Sequence, residues 1–123
     1  MMWGMNTPTV TVYGIPNCDT VKKARTWLTE HGVSHTFHDF KKQSVPVELL
    51  PQWIDSVGWQ TLVNRKGTTW RKLVEATRAA VTDDATATAL MLAHPSVVKR
   101  PVVMWSDGSL SVGFDTEVFA AHV

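Results

Sequence analysis

The sequence predicts an α/β fold: a four-stranded mixed sheet in the order βαβ–ββα, with an all-helical insert between the second and third strands. Three observations carry that expectation. The run Thr9-Val10-Thr11-Val12-Tyr13 is β-branched and aromatic, breaks at Gly14-Ile15-Pro16-Asn17, and hands over at once to helical periodicity. From Lys41 to Pro95 the period is helical. After Pro95, two short runs rich in valine flank an Asp-Gly pair, a strong hairpin signal.

The first strand is expected over Thr9–Tyr13. In the helix behind it, Val21, Ala24, Trp27 and Leu28 share one face, Lys22, Lys23, Arg25 and Thr26 point elsewhere, and Gly32 ends the pattern. Ser34 to Phe40 reads as the second strand, and a strand, helix and strand of this length imply a parallel pair joined by a right-handed crossover. The insert runs from about 44 to 95. There Val47, Leu50, Ile54 and Val57 share a face closed by Gly58. Pro51 requires that this helix begin late or kink, because an interior proline costs about 3 kcal/mol. Asn64-Arg65-Lys66-Gly67 is a polar turn, Thr68 to Leu73 opens a short helix, and Thr82-Asp83-Asp84 caps a helix that turns Ala87, Leu90 and Met91 inward. Val102 to Trp105, the turn Ser106-Asp107-Gly108, and Ser109 to Val112 form the hairpin. Asp115 to Val123 closes the chain as a helix.

At 123 residues, with 44% apolar and 19% charged residues, the chain reads as one domain, 1–123, with residues 1–7 frayed. A chain of this size buries roughly two thirds of its unfolded surface. The net charge is +1 and no block of like charges stands out, which excludes coating of nucleic acid or of a membrane surface. No apolar stretch reaches the roughly 18 residues of a membrane span, and the start lacks the basic region of a signal peptide. The single cysteine, Cys18, rules out an intrachain disulfide framework. A monomer in the reducing cytoplasm is the expectation.

Cys18 falls where the first strand hands over to the first helix. Free amides and the positive end of the helix dipole favour an anion there, so a thiolate is stabilised and its pKa falls. The plain alternative is a small buried apolar residue, as free cysteines often are. Cys18 has no thiol three residues away, since Ile15 and Val21 occupy those places. Any covalent intermediate therefore needs an outside thiol, for which glutathione is the simplest candidate. A sulfur nucleophile also needs fixed positive charge, which arginine supplies through paired hydrogen bonds. Arg65, in the polar turn, and Arg100, directly before Pro101 at the third strand, are the two candidates; each also reads as a solvated loop charge. The Arg100–Pro101 bond can be cis. His31, His35 and His38 do not make a metal pair, because the i, i+4 spacing of the first two spans the break at Gly32. Trp27, Trp53 and Trp70 fall on or beside helix faces and read as core and groove lining.

Three segments, taken in order, resemble the ArsC-like family of arsenate-reductase-related proteins, and its YffB branch most of all. They are Val12-Tyr13-Gly14-Ile15-Pro16-Asn17-Cys18-Asp19-Thr20, Arg65-Lys66-Gly67-Thr68-Thr69-Trp70-Arg71-Lys72-Leu73, and Lys99-Arg100-Pro101. The resemblance covers about Thr9 to Phe119. It implies a thioredoxin-like fold with a helical insert, a cis Arg100–Pro101 peptide, and Cys18 as nucleophilic thiolate. It also aligns Arg65 and Arg100 with two arginines that hold the oxyanion in the arsenate reductases. Gly14 stands where those enzymes have histidine, Val21 where they have serine, and Ser109 to Phe114 lacks their third arginine. The family reading is thus a thiol or disulfide reaction that uses glutathione as co-substrate, or glutaredoxin, with no bound cofactor, rather than arsenate turnover. The Spx proteins of the same family imply a different class, a regulator that contacts RNA polymerase. Their Cys-x-x-Cys switch lacks its second cysteine here, at Val21.

Overall fold

The computed structural model describes residues 10–123. Thr9 and the fraying expected at residues 1–7 lie outside the described residues. Strand β1 (Val10–Gly14) is followed by helix α1 (Asp19–Glu30) and strand β2 (His35–Asp39). After the insert come β3 (Val102–Met104) and β4 (Leu110–Val112), and a last helix spans Thr116–Ala121. The sheet order is β2-β1-β3-β4. β1 runs parallel to β2, with Val12 opposite Phe37, and antiparallel to β3, with Val12 opposite Val103. β3 and β4 form the expected hairpin, in which Gly108 takes the left-handed conformation (φ 87°) that the tight turn requires.

Alternation along the central strands divides the core in two. Val12 and Val103 pack with Ala24, Leu28 and Phe119 on the face covered by α1 and the last helix. Tyr13 and Val102 point the other way, into a larger cluster with Trp53, Leu62 and Met91 of the insert. The predicted stripe of α1 holds: Val21, Ala24 and Leu28 are fully buried. Its end is closed at Gly32 (φ 70°), where the Val33 amide donates to the Leu28 carbonyl at 2.8 Å and satisfies a carbonyl the helix leaves open.

Several boundaries differ from the sequence expectation: β1 runs through Gly14, Trp105 and Ser109 fall outside β3 and β4, and the last helix is shorter than Asp115–Val123. The second strand stops at Asp39 rather than Phe40, because the Asp39 carboxylate accepts the Lys41 amide at 2.8 Å and caps a short helix, α2 (Phe40–Gln43). Phe40 stays buried, so the apolar signal was sound but belonged to the helix. Val47 does not share the face of Leu50 and Ile54; it is 54% exposed ahead of α3 (Leu50–Val57). Pro51 lies in the first turn of α3, where its missing N–H is among those the helix leaves unpaired anyway.

The rest of the insert consists of α4 (Trp59–Leu62), α5 (Thr68–Lys72), α6 (Glu75–Ala79), α7 (Asp84–Ala93) and a 3₁₀ turn over Pro95–Val97; the last helix of the chain is α8. A capping box starts α7: Asp83 accepts the Thr86 amide at 2.9 Å, and Thr86 Oγ1 accepts the Asp83 amide at 3.1 Å.

One small ladder positions the site. The Asn64 amide donates to the Val97 carbonyl at 2.8 Å, the Lys99 amide donates to the Leu62 carbonyl at 2.7 Å, and Val63 pairs with Val98. The chain leaving α4 is thereby stitched to the chain entering β3. The Arg100–Pro101 peptide is cis, as the resemblance implies, and the Pro101 carbonyl accepts the Gly113 amide at 2.8 Å.

Candidate functional site

Cys18 is the N-cap residue of α1. Its backbone is extended (φ −105°, ψ 123°), and its carbonyl accepts the Lys22 amide at 2.9 Å, the first bond of the helix. The thiol is half-buried and free, so it is neither sealed in the core nor loose on the surface. Burial alone pushes its pKa up. The amide of Val21, the guanidinium of Arg100 and the amide of Thr20 together outweigh that cost, and the net shift is downward. A thiolate is therefore favoured relative to a free cysteine.

Arg100 is held in place from behind. Its Nη1 donates to the Ser96 carbonyl at 2.7 Å and to the Val98 carbonyl at 3.2 Å. Both carbonyls belong to the 3₁₀ turn and the stitch that follow α7, so the insert fixes the guanidinium against the thiol of the other half. Its Nε is buried without a hydrogen-bond partner.

The structure does not bring Arg65 to the same place. Arg65 is exposed, with its guanidinium carbon 5.9 Å from the centroid of the Trp59 ring, and it does not line the cleft at Cys18. The residue before it does. Asn64 borders a cleft of about 510 Å³ together with Cys18, Thr20 and Arg100. Lys99 and the connection from β4 to α8, with Phe114 and Asp115, complete its walls. Sequence reasoning missed this second set. Lys99 was visible beside Arg100 in the third motif, whereas Asn64 and Asp115 reach the site only through the stitch and the hairpin, which are non-local pairings.

The histidines are placed separately by local partners. The His31 ring stacks on Trp27 with centroids 3.7 Å apart, and His38 Nε2 lies 2.8 Å from the Ser44 carbonyl oxygen. Trp53 is fully buried and Trp70 packs against the same cluster, as expected for core residues.

The fold is one that related proteins share. The ArsC family model matches residues 13–122. A solved structure described as the YFFB protein is 51% identical, with a TM-score of 0.87 over 93% of this chain and 98% of that one. An arsenate reductase (ArsC) related protein from Brucella melitensis is 52% identical, with a TM-score of 0.71 and 93% of each chain covered. Among curated relatives, an uncharacterized protein of Haemophilus influenzae is 39% identical over 112 residues, covering 91% of this chain and 96% of its own length. The global transcriptional regulator Spx of Staphylococcus epidermidis is more distant, at 22% identity over 110 residues, 88% of this chain and 82% of its own length. With the family model matching nearly its whole length, and with a mixed four-stranded sheet, a cysteine at the first helix and a cis-proline, this chain belongs to the ArsC family.

Proposed function

We propose that the protein is a glutathione- or glutaredoxin-dependent thiol oxidoreductase with Cys18 as its nucleophile. The observation that supports this reading is the convergence of two helix-start amides and the Arg100 guanidinium on one half-buried sulfur at the wall of a cleft. The Cys18 thiolate attacks a disulfide; a new S–S bond forms to Cys18 as the old one breaks, and the departing sulfur leaves with the electron pair and takes a proton from water. The chain has no second cysteine. The thiolate of glutathione, or of a glutaredoxin, then attacks the substrate sulfur of the mixed disulfide, and Cys18 departs as a thiolate. The groups that favour attack also make Cys18 a good leaving group, because a thiol of lower pKa departs faster. Arg100 faces the anionic group of the substrate or of glutathione. Arg65, exposed beside Trp59, meets only a ligand that extends beyond the cleft.

A thiol held ionised in this way needs a reducing compartment, and a cytoplasmic monomer fits that need. Among the described residues, no helix is long and apolar enough to cross a membrane. The test is the pH dependence of Cys18 alkylation by iodoacetamide, with mass spectrometry of the mixed disulfide formed from oxidised glutathione. The expected midpoint lies below the ordinary cysteine value of about 8.5, and Cys18→Ser forms no adduct. Equal labelling of folded and unfolded chains at neutral pH overturns the reading.

The relatives described as the global transcriptional regulator Spx support a second reading, a regulator, for which the family resemblance implies RNA polymerase as the partner. Val21, which occupies the place of the second cysteine of their switch, is fully buried. Stoichiometric capture of the polymerase α subunit by wild type and by Cys18→Ser alike, with no thiol exchange, would move the assignment to this class.

A further inference from the structure

We infer that Lys99 makes the Cys18 cleft select sulfur compounds that carry a carboxylate close to the reacting sulfur, so that Lys99 determines the specificity of the proposed exchange. The inference rests on the thiolate reading above and adds the substrate class. Lys99 is fixed at its backbone by the bond from its amide to the Leu62 carbonyl. Its side chain is exposed and runs across the β4–α8 connection, where its Cε lies 3.7 Å from the position a Cβ on Gly113 would take. Arg100 therefore faces the sulfur, and Lys99 extends the positive charge along the same wall toward the hairpin.

The chemistry of the remaining wall agrees. Asp115 is the acidic residue at this cleft, and one of its two carboxylate oxygens is engaged in capping α8: Oδ1 accepts the amides of Glu117 at 2.9 Å and of Val118 at 3.4 Å. Asn64 Oδ1 accepts the Lys66 amide at 3.2 Å, which leaves its NH₂ as the group able to donate. Thr20 lines the cleft and turns its amide to the sulfur, and Val112 and Phe114 supply the apolar side for a short carbon chain. Donors outnumber free acceptors around the nucleophile. A neutral disulfide leaves the ammonium of Lys99 unused, and a cationic one is repelled by both Lys99 and Arg100. A volume of about 510 Å³ suits a ligand of tripeptide size.

The experiment uses the full chain and three small disulfides: dithiodiglycolate, which is dianionic, 2-hydroxyethyl disulfide, which is neutral, and cystamine, which is dicationic. Each exchange rate with Cys18 is divided by the rate of the same disulfide with free 2-mercaptoethanol, which removes intrinsic reactivity. For wild type the normalised rates fall in the order dianion, neutral, dication, and the spread shrinks with added salt. Lys99→Ala lowers the dianion-to-dication ratio by roughly fivefold at most, the upper end of what an exposed ion pair contributes. Lys99→Glu lowers it further, and Lys99→Arg restores it. An unchanged ratio in Lys99→Ala and Lys99→Glu overturns the inference while leaving a reactive thiolate in place. Failure of all three disulfides to react with wild type at neutral pH removes the thiolate reading, and this inference with it.

Discussion

A pair of residues next to the nucleophile shows how much one position constrains another. A Cβ added to Gly14 would lie 2.8 Å from Cγ2 of Val21, closer than packed carbon atoms come, and Val21 is fully buried. Gly14 and Val21 are the two positions at which this chain departs from the His and Ser expected of the arsenate reductases. The missing Cβ of Gly14 leaves the space that the Val21 side chain fills where α1 packs on β1. Gly14→Ala is expected to destabilise the protein by about 1–3 kcal/mol through overpacking. Adding Val21→Ala should recover part of that loss, so the two changes are non-additive in urea midpoints. Strictly additive losses would show that the two side chains do not compete for this space. Ionisation of Cys18 supplies a second prediction. Its native pKa lies below the unfolded value of about 8.5, so its ionisation contributes stability that is fully present above about 8.5 and is lost as the pH falls through the native pKa. The stability gap between wild type and Cys18→Ser should widen as the pH is raised from roughly 6 to 9, measured by denaturant unfolding in reducing buffer. At this scale the sequence was informative, because Cys18 and Arg100 are marked by their own neighbours, the Pro-Asn turn and Pro101.

Among elements, legibility followed length. Helix α1 spans three turns and announces its buried face, whereas α2, α4 and α6 span four or five residues each and offer no period to read. What fixes these short helices is local capping and the contacts they make once the chain has folded. Asp39 is the clearest case, since one carboxylate decides whether the chain continues as strand or turns into α2. Asp39→Ala should cost about 1 kcal/mol, the usual effect of losing an N-cap side chain, with faster hydrogen exchange at the Lys41 amide that it holds at 2.8 Å. Unchanged exchange at that amide would mean that burial of Phe40, not the cap, ends β2. The stitch of Leu62–Asn64 against Val97–Lys99 was beyond the reach of pattern reading, because its partners are more than thirty residues apart and it comprises one bridge. It is also what brings Asn64 and Lys99 to the cysteine, which is why the candidate cleft was only half visible in the sequence.

In the molecule as a whole, the site joins two layers that have separate cores. The thiol stands on α1, whose stripe packs into the cluster with Phe119, while the guanidinium comes from the chain that leaves the insert, whose residues pack into the cluster with Trp53. The order of strands and the two-sided core agree with the α/β reading drawn from the first and last thirds of the sequence; the docking of the insert had to come from the structure. Trp53 is central to that docking. It is fully buried and sits edge-on to Tyr13 of β1, with ring centroids 4.8 Å apart at 71°. Its indole N–H is buried without an acceptor, so the ring contributes through shape and apolar area rather than through a hydrogen bond. Trp53→Ala should therefore cost about 3–5 kcal/mol, and it should also loosen the insert that carries the Ser96 and Val98 carbonyls behind Arg100. The alkylation midpoint of Cys18, measured in conditions where the variant is still folded, is then expected to rise toward the ordinary cysteine value as the guanidinium loses its fixed position. Trp53→Phe keeps an aromatic edge against Tyr13 and removes the orphaned donor, so it should lose less stability and leave the midpoint low. A Trp53→Ala variant that is destabilised yet keeps the wild-type midpoint would show that the amides of Thr20 and Val21 hold the thiolate alone, with the insert contributing nothing to its ionisation.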